Sequence, residues 1–160
     1  MKGYLANGLF SMGDRLINQL IASRLRFVTD KVELYVPQEN DEINDKTKYA
    51  DSVSIAKADA EKLMESDFLI AVIDGVEIDS GVAAEIGMFA TTGKPIFALF
   101  TDVRQLGRDN AEKIDALVED ATENQFVYRN LFVIGLIKQT EGGIFSEIEG
   151  LIQAVKGKIK

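Results

Sequence analysis

The sequence predicts an α/β domain with a mainly parallel central sheet, and three observations predict it. Short apolar runs alternate with stretches of helical periodicity: "GYLA" at residues 3–6, "VELYV" at 32–36, "FLIAVI" at 68–73 and "PIFALF" at 95–100. Two of them, "FLIAVI" and "PIFALF", are continuously apolar, as strands buried on both faces of a parallel sheet must be. Turn residues close the early strands, with Asn7-Gly8 after the first and Pro37 after the second.

Each element follows in order. After the first strand, Leu16, Ile17, Leu20, Ile21 and Leu25 recur at helical spacing. The run "QENDEINDKTKYAD" at 38–51 is too charged for a core and reads as a long loop. A second helix runs to about Ser66, with Val53, Ala56, Ala60, Leu63 and Met64 on one side. The third strand gives way to the loop "DGVEIDS" at 74–80, in which Asp74-Gly75 reads as a turn. A third helix then runs to a stop at Gly93, before the fourth strand. Residues 101–124 are polar at first and then helical over "NAEKIDALVEDA". "NLFVIGLIK" at 130–138 fits strand or helix by periodicity, and a short helix is the reading adopted. Ile144, Ile148, Leu151, Ile152 and Val155 form the apolar stripe of a final helix.

Bulk properties narrow the function. A chain of 160 residues forms one domain, 1–160, with a well-covered core. With 46% hydrophobic and 28% charged residues the composition is globular, and no apolar run approaches the roughly 18 residues of a membrane span. The start "MKGYLANGLFSMGDR" is not a signal peptide, so a cytoplasmic location is expected. There is no cysteine and no histidine, which removes disulfides, thiolate nucleophiles and the commonest general base and metal ligand. Chemistry here must run on carboxylates, Tyr, Lys or Ser. A net charge of −8 argues against a nucleic-acid partner and favours a small, neutral ligand.

If the strand order is flavodoxin-like or Rossmann-like, giving a three-layer sandwich, strands one and three are neighbours. Their carboxyl-end loops, "ANGLFSMG" and "DGVEIDSG", then flank the point where the winding reverses, which is where such sheets bind ligands.

One helix stands out. From Gly81 to Gly93, Glu85 is the only ionisable side chain, so the helix lacks a charged face and is expected to be mostly covered by protein. Glu85 follows Val82 by three and precedes Phe89 by four, which puts it beside the apolar stripe, where an unpaired charge is costly. The bland alternative is a carboxylate at the edge of the buried face that reaches water or a basic partner. Asp79 has a plain reading as a helix N-cap, Asp59 as a helix-surface acid, Tyr4 as a packed strand residue and Phe10 as core.

Taken together, "GYLANGLF", "KADAEKLMESDFLIAVIDG", "DSGVAAEIGMFATTGKPI" and "YRNLF" resemble, in order and spacing, the nucleoside 2-deoxyribosyltransferase family, over the chain to about residue 137. The D-x-G-x-x-x-E-x-G pattern at Asp79, Gly81, Glu85 and Gly87, joined to Asp59 and Asp67 upstream, is the specific part. The resemblance implies transfer of a 2-deoxyribosyl group between nucleobases, with Glu85 as nucleophile, a covalent glutamyl intermediate and retention of configuration. It puts Tyr4 beside the nucleophile, Asp59 and Asp79 at the base, and Phe10 on the wall of the base pocket, with Asn7, Gly8 and Gly81 also at the substrate. It places Asn130 on the sugar 5'-hydroxyl of a neighbouring subunit, so a homo-oligomer with a dimer as minimal unit is implied. Partners are then 2'-deoxynucleosides and free nucleobases, with no membrane or nucleic acid; no metal or organic cofactor is needed.

Two alternatives stay open. One is hydrolysis of deoxynucleosides or deoxynucleoside 5'-monophosphates, which a related branch carries out, generally with Ser where this chain has Asp79; Ser11 and Ser80 keep that option. The other is a non-catalytic nucleoside-binding module. A receiver-like domain lacks its acidic pair after strand one, and a dinucleotide binder lacks G-x-G-x-x-G there.

Overall fold

A computed structural model of the protein describes residues 1–40 and 49–159. Its five strands are β1 (Lys2–Ala6), β2 (Glu33–Tyr35), β3 (Phe68–Val72), β4 (Ile96–Leu99) and β5 (Gly143–Phe145). Among the described residues six α-helices alternate with them: α1 (Met12–Val28), α2 (Ser52–Glu65), α3 (Ser80–Ala90), α4 (Ala111–Glu119), α5 (Leu131–Lys138) and α6 (Ile148–Lys158). Every strand pairing is parallel and the order is β2-β1-β3-β4-β5. The chain therefore steps from β1 to one edge, returns past β1 to β3 and continues outward, so the winding reverses between β1 and β3 as expected.

Alternation along the strands builds two cores, one on each face. Leu5, Phe68, Ile70, Val72, Phe97 and Leu99 pack with Ile21 and Leu25 of α1 and Leu151, Ile152 and Val155 of α6. On the opposite face Tyr4, Ala6, Leu69, Ala71, Ile96 and Ala98 meet Leu63 of α2, Val82, Ile86 and Phe89 of α3, and Val133 and Ile137 of α5. This is the three-layer sandwich.

Helix starts are set by short polar side chains. Ser11 accepts from the Asp14 amide at 3.0 Å, Asp51 from Ser54 at 2.7 Å and Asn110 from Lys113 at 3.1 Å. Asp79 does the same for α3 with bonds from Gly81 (2.9 Å) and Val82 (3.1 Å). The segment 130–138 is the short helix adopted above, capped by Asn130 through the amides of Phe132 and Val133. The long loop read at 38–51 begins with a single 3-10 turn over Pro37–Glu39; its middle, 41–48, lies outside the described residues.

Two expectations change. A fifth strand exists, and Ile144 belongs to it rather than to the last helix. Gly142 permits that edge to close, since a Cβ there would sit 1.8 Å from the Ile96 carbonyl oxygen, and Gly143 has φ +147°. The helix bearing Glu85 is also less covered than its neutrality implied: Gly81, Ala84 and Met88 face outward, with Met88 40% exposed.

The loop from β3 into α3 is held from the far side. Asp74 accepts from both the amide and the hydroxyl of Thr101, each at 2.6 Å, while Gly75 turns the chain at φ +94°. Arg129 then donates to the carbonyls of Gly75 (2.7 Å) and Val76 (3.2 Å) with its guanidinium over Phe100.

Candidate active site

The site grows out of the reversal point. Tyr4 is the third residue of β1 and is fully buried on the α2/α3 face. Its hydroxyl donates to Glu85 Oε1 at 2.5 Å, a length typical of a strong bond to a carboxylate. Glu85 reaches it because residues three and four apart share a helix face, so it stands in line with buried Val82 and Phe89. The helix is thus fixed by its apolar stripe, and the carboxylate is carried to the edge of the core with it.

Electrostatics there are unusual for a carboxylate. Burial pushes Glu85 up, the Tyr4 hydrogen bond offsets part of this, and the nearby charges of Asp59 and Asp79 push it further, to about 7. Tyr4 is driven well above its ordinary value by burial and by the negative Glu85, so its hydroxyl stays a donor throughout the physiological range. The pair is therefore a basic carboxylate held by a permanent hydrogen-bond donor.

Asp59, on α2, is half-buried, and burial raises it while a hydrogen bond from Tyr35 offsets part of the rise. Tyr35 Oη donates to Asp59 Oδ1 at 3.3 Å and accepts from Asn40 Nδ2 at 3.0 Å. Its ring lies 5.4 Å from that of Tyr4. No motif in the sequence marks Tyr35. The available signal was that "GYLA" and "VELYV" each place a tyrosine at the same phase of a short apolar strand, and register makes them Cα partners.

The other predicted residues have identifiable places. Asp79 spends Oδ1 on capping α3 and is solvent-exposed. Gly81 sits against it: a Cβ there would be 3.1 Å from Asp79 Oδ1. Asn7, just past β1, donates to Asn18 Oδ1 at 2.9 Å, and buried Asn18 in turn donates to the Gly8 carbonyl at 3.0 Å and to Gln38 at 3.1 Å. That buried asparagine fixes the loop after β1 and joins it to the segment after β2. Gly8 lies so close to Asp14 that a Cβ would be 2.9 Å from its carboxylate. Phe10 stands in the same loop with 77% of its surface exposed, so it is not core.

Asn130 is elsewhere. It borders a cavity of about 660 Å³ together with Val76, Ala83, Arg129 and Val133. Ala83 is two residues from Glu85 and so points to the opposite side of α3. Among the described residues no hydrogen bond links Asn130 to the Tyr4–Glu85–Asp59 cluster. Around it the surface is apolar: Leu131 is 83% exposed and Phe132 75%.

Chemically, the arrangement offers one poised carboxylate with a donor on one oxygen, a second carboxylate with its own tyrosine, and a third at the helix start. Among the described residues these acids do not gather into a group suited to a metal ion, and no helix is long and apolar enough to cross a membrane.

Comparison with known proteins closes the identification. No protein of curated function matches the chain. A crystal structure of a conserved protein from Enterococcus faecalis V583 is 47% identical, with a TM-score of 0.92 over 99% of this chain and 98% of that one. A 2-deoxyribosyltransferase from Bacillus psychrosaccharolyticus shares the fold at 18% identity, TM-score 0.65, covering 95% of this chain and 90% of that one. A further 2-deoxyribosyltransferase, from Leishmania mexicana, shares it at 19% identity, TM-score 0.62, over 98% and 97%. The family model described as nucleoside 2-deoxyribosyltransferase matches residues 4–152, almost the whole chain, and the protein belongs to that family.

Proposed function

We propose that the protein transfers a 2-deoxyribosyl group between nucleobases, with Glu85 as the nucleophile. The observation that carries this reading is the lone helix carboxylate, carried to the core's edge and hydrogen-bonded on Oε1 by Tyr4 at 2.5 Å. With Oε1 so occupied, Oε2 is the oxygen directed at the anomeric carbon of the sugar. In the first half-reaction the C1'–N bond breaks and its electrons leave with the base, which takes a proton at nitrogen, while Glu85 forms a C1'–O ester. In the second, a nitrogen of the incoming base attacks C1', the ester electrons return to Glu85 and the incoming base gives up its proton. Two inversions leave the configuration retained, the logic of retaining glycosidases.

The remaining residues divide the work. Asp59 and Asp79 meet the base and exchange its proton, with Phe10 as a flat wall and Asn7, Gly8 and Gly81 keeping backbone close to the substrate. A missing 2'-hydroxyl withdraws no electron density from the oxocarbenium-like transition state, which favours 2'-deoxy sugars. Asn130 serves the sugar 5'-hydroxyl of a neighbouring subunit. Two features support a homo-oligomer with a dimer as its smallest unit: the separation of Asn130 from Glu85 within one chain, and the outward apolar surface of Leu131, Phe132 and Met88. No cofactor takes part in either half-reaction, and the setting is nucleotide salvage in the cytoplasm.

Incubation with 2'-deoxyadenosine, with and without cytosine, tests the reading. New deoxycytidine appearing only with cytosine is the expected product. Adenine and deoxyribose without deoxycytidine would make the protein an N-glycoside hydrolase, and no reaction with nucleosides or their 5'-monophosphates would make it a binding module.

A further inference from the structure

The reading of Glu85 as nucleophile and Asp59 as base-binding carboxylate leaves Tyr35 without a role, and its surroundings define one. Parallel pairing puts Tyr4 and Tyr35 opposite each other on β1 and β2, so both side chains rise on the same face of the sheet. Each hydroxyl goes to a different carboxylate: Tyr4 to Glu85 on α3, Tyr35 to Asp59 on α2. The rings lean together at 5.4 Å with a 36° tilt, which restricts the swing of either.

Among the described residues the proton on Tyr35 has one acceptor to go to. A tyrosine hydroxyl carries a single hydrogen, and Asn40 Nδ2 already donates to this oxygen at 3.0 Å. Tyr35 must therefore donate, and the bond at 3.3 Å points to Asp59 Oδ1. With Oδ1 engaged, Oδ2 is the Asp59 oxygen with no partner among the described residues and the one that can face a ligand. Among the described residues, the groups facing Asp59 from the packed elements are Tyr35 of β2, Tyr4 of β1 and Glu85 of α3. None of these is a cation, so the Tyr35 hydroxyl is the group among them that favours the ionised form of Asp59.

We propose that Tyr35 is a positioning residue that acts through Asp59: its hydroxyl fixes Oδ1, turns Oδ2 to the nucleobase and sets how readily Asp59 gives and takes the base's proton. The site then has two tyrosine–carboxylate pairs side by side, one for the sugar and one for the base. This rests on the proposed function for what Asp59 does, but the pairing itself is open to a measurement that needs no turnover.

Tyr35→Phe keeps the ring against Tyr4 and removes only the hydroxyl. The carboxyl carbon of Asp59, followed by NMR across a pH titration in wild type and variant, reads the pairing directly. Losing a donor to the ionised form raises the titration midpoint, and the expected change is about tenfold in proton affinity, the worth of one hydrogen bond to a charged group. An unmoved midpoint overturns the proposal. The kinetic counterpart is the single-turnover release of base from 2'-deoxyadenosine in a double-mutant cycle with Asp59→Asn. Tyr35→Phe should slow release about tenfold and shift its pH profile when Asp59 is present, and do neither when Asp59 is already Asn. Equal losses in both backgrounds would overturn action through Asp59. A wild-type protein that releases no base from any nucleoside would remove the proposed function instead, and the titration would still decide the role of Tyr35.

Discussion

Asp102, just past the carboxyl end of β4, and Glu85, in the second turn of α3, are both largely covered carboxylates, and their surroundings are opposite. Asp102 takes bonds from the Arg104 guanidinium at 2.6 and 3.0 Å and from its amide at 3.0 Å, with Arg129 4.0 Å away. Those donors hold it at about 2. Glu85 has one neutral donor and two acidic neighbours, and burial lifts it to about 7. The first carboxylate is fully answered and ties the loops after β3 and β4 together through Arg129. The second is left under-answered at the edge of the core, with a perturbed protonation of the kind found at functional sites.

The comparison breaks most easily at Glu85 itself. Glu85→Ala should lower turnover on the order of 10⁴-fold or more, as removal of a nucleophile does elsewhere, with the circular dichroism spectrum unchanged. Retained activity in a steady-state assay would end the assignment.

Stability should move the other way. In the unfolded chain Glu85 titrates near 4.5 and in the folded chain near 7, so between these values the folded state holds the extra proton and loses stability as pH rises. Glu85→Gln should therefore stabilise the fold by up to about 3 kcal/mol at pH values above 7, and by almost nothing below 4.5. Asp102→Asn should lower the Tm at neutral pH, since it removes an acceptor for Arg104 and Arg129. Thermal melts at two pH values check both signs, and the same sign for both variants would erase the contrast.

Tyr4→Phe tests the single donor. It should cost about 10- to 100-fold in kcat/KM, the range for a hydrogen bond to a charged group, and move the acid limb of the pH profile upward from about 7, because the ionised Glu85 loses its support. The smallest effect belongs to Asp79. Its Oδ1 bonds to Gly81 and Val82 make Asp79→Ala cost about 1 kcal/mol of stability, whereas Asp79→Asn should keep the cap and slow the release of purines. Urea denaturation and base-release rates separate the two roles.

Much of this was legible in the sequence because it depends on local pattern. The four longer strand signals, the neutral helix with one carboxylate, and Asp79 as a cap follow from periodicity and side-chain chemistry. What escaped depends on register and tertiary approach. β5 is three residues with a glycine at its start, and nothing local distinguishes it from a turn until Gly142 is seen against Ile96. Tyr35 gains meaning only when β2 pairs with β1 in the register that sets it beside Tyr4. Arg129, inside "YRNLF", carries no local signal for its role: only 6% of its side chain is exposed and it holds the loop that presents α3. The helix bearing Glu85 is less covered than its neutrality implies, because Gly81, Ala84 and Met88 on its outer face are exposed.

The most direct test of the account is mass spectrometry of the intact protein, acid-quenched during turnover of 2'-deoxyadenosine without an acceptor base, followed by peptide mapping. A mass increase of one deoxyribosyl group on the peptide that carries Glu85, discharged when cytosine is added, is the predicted result. Turnover with no adduct, or an adduct on another residue, would contradict Glu85 as the nucleophile.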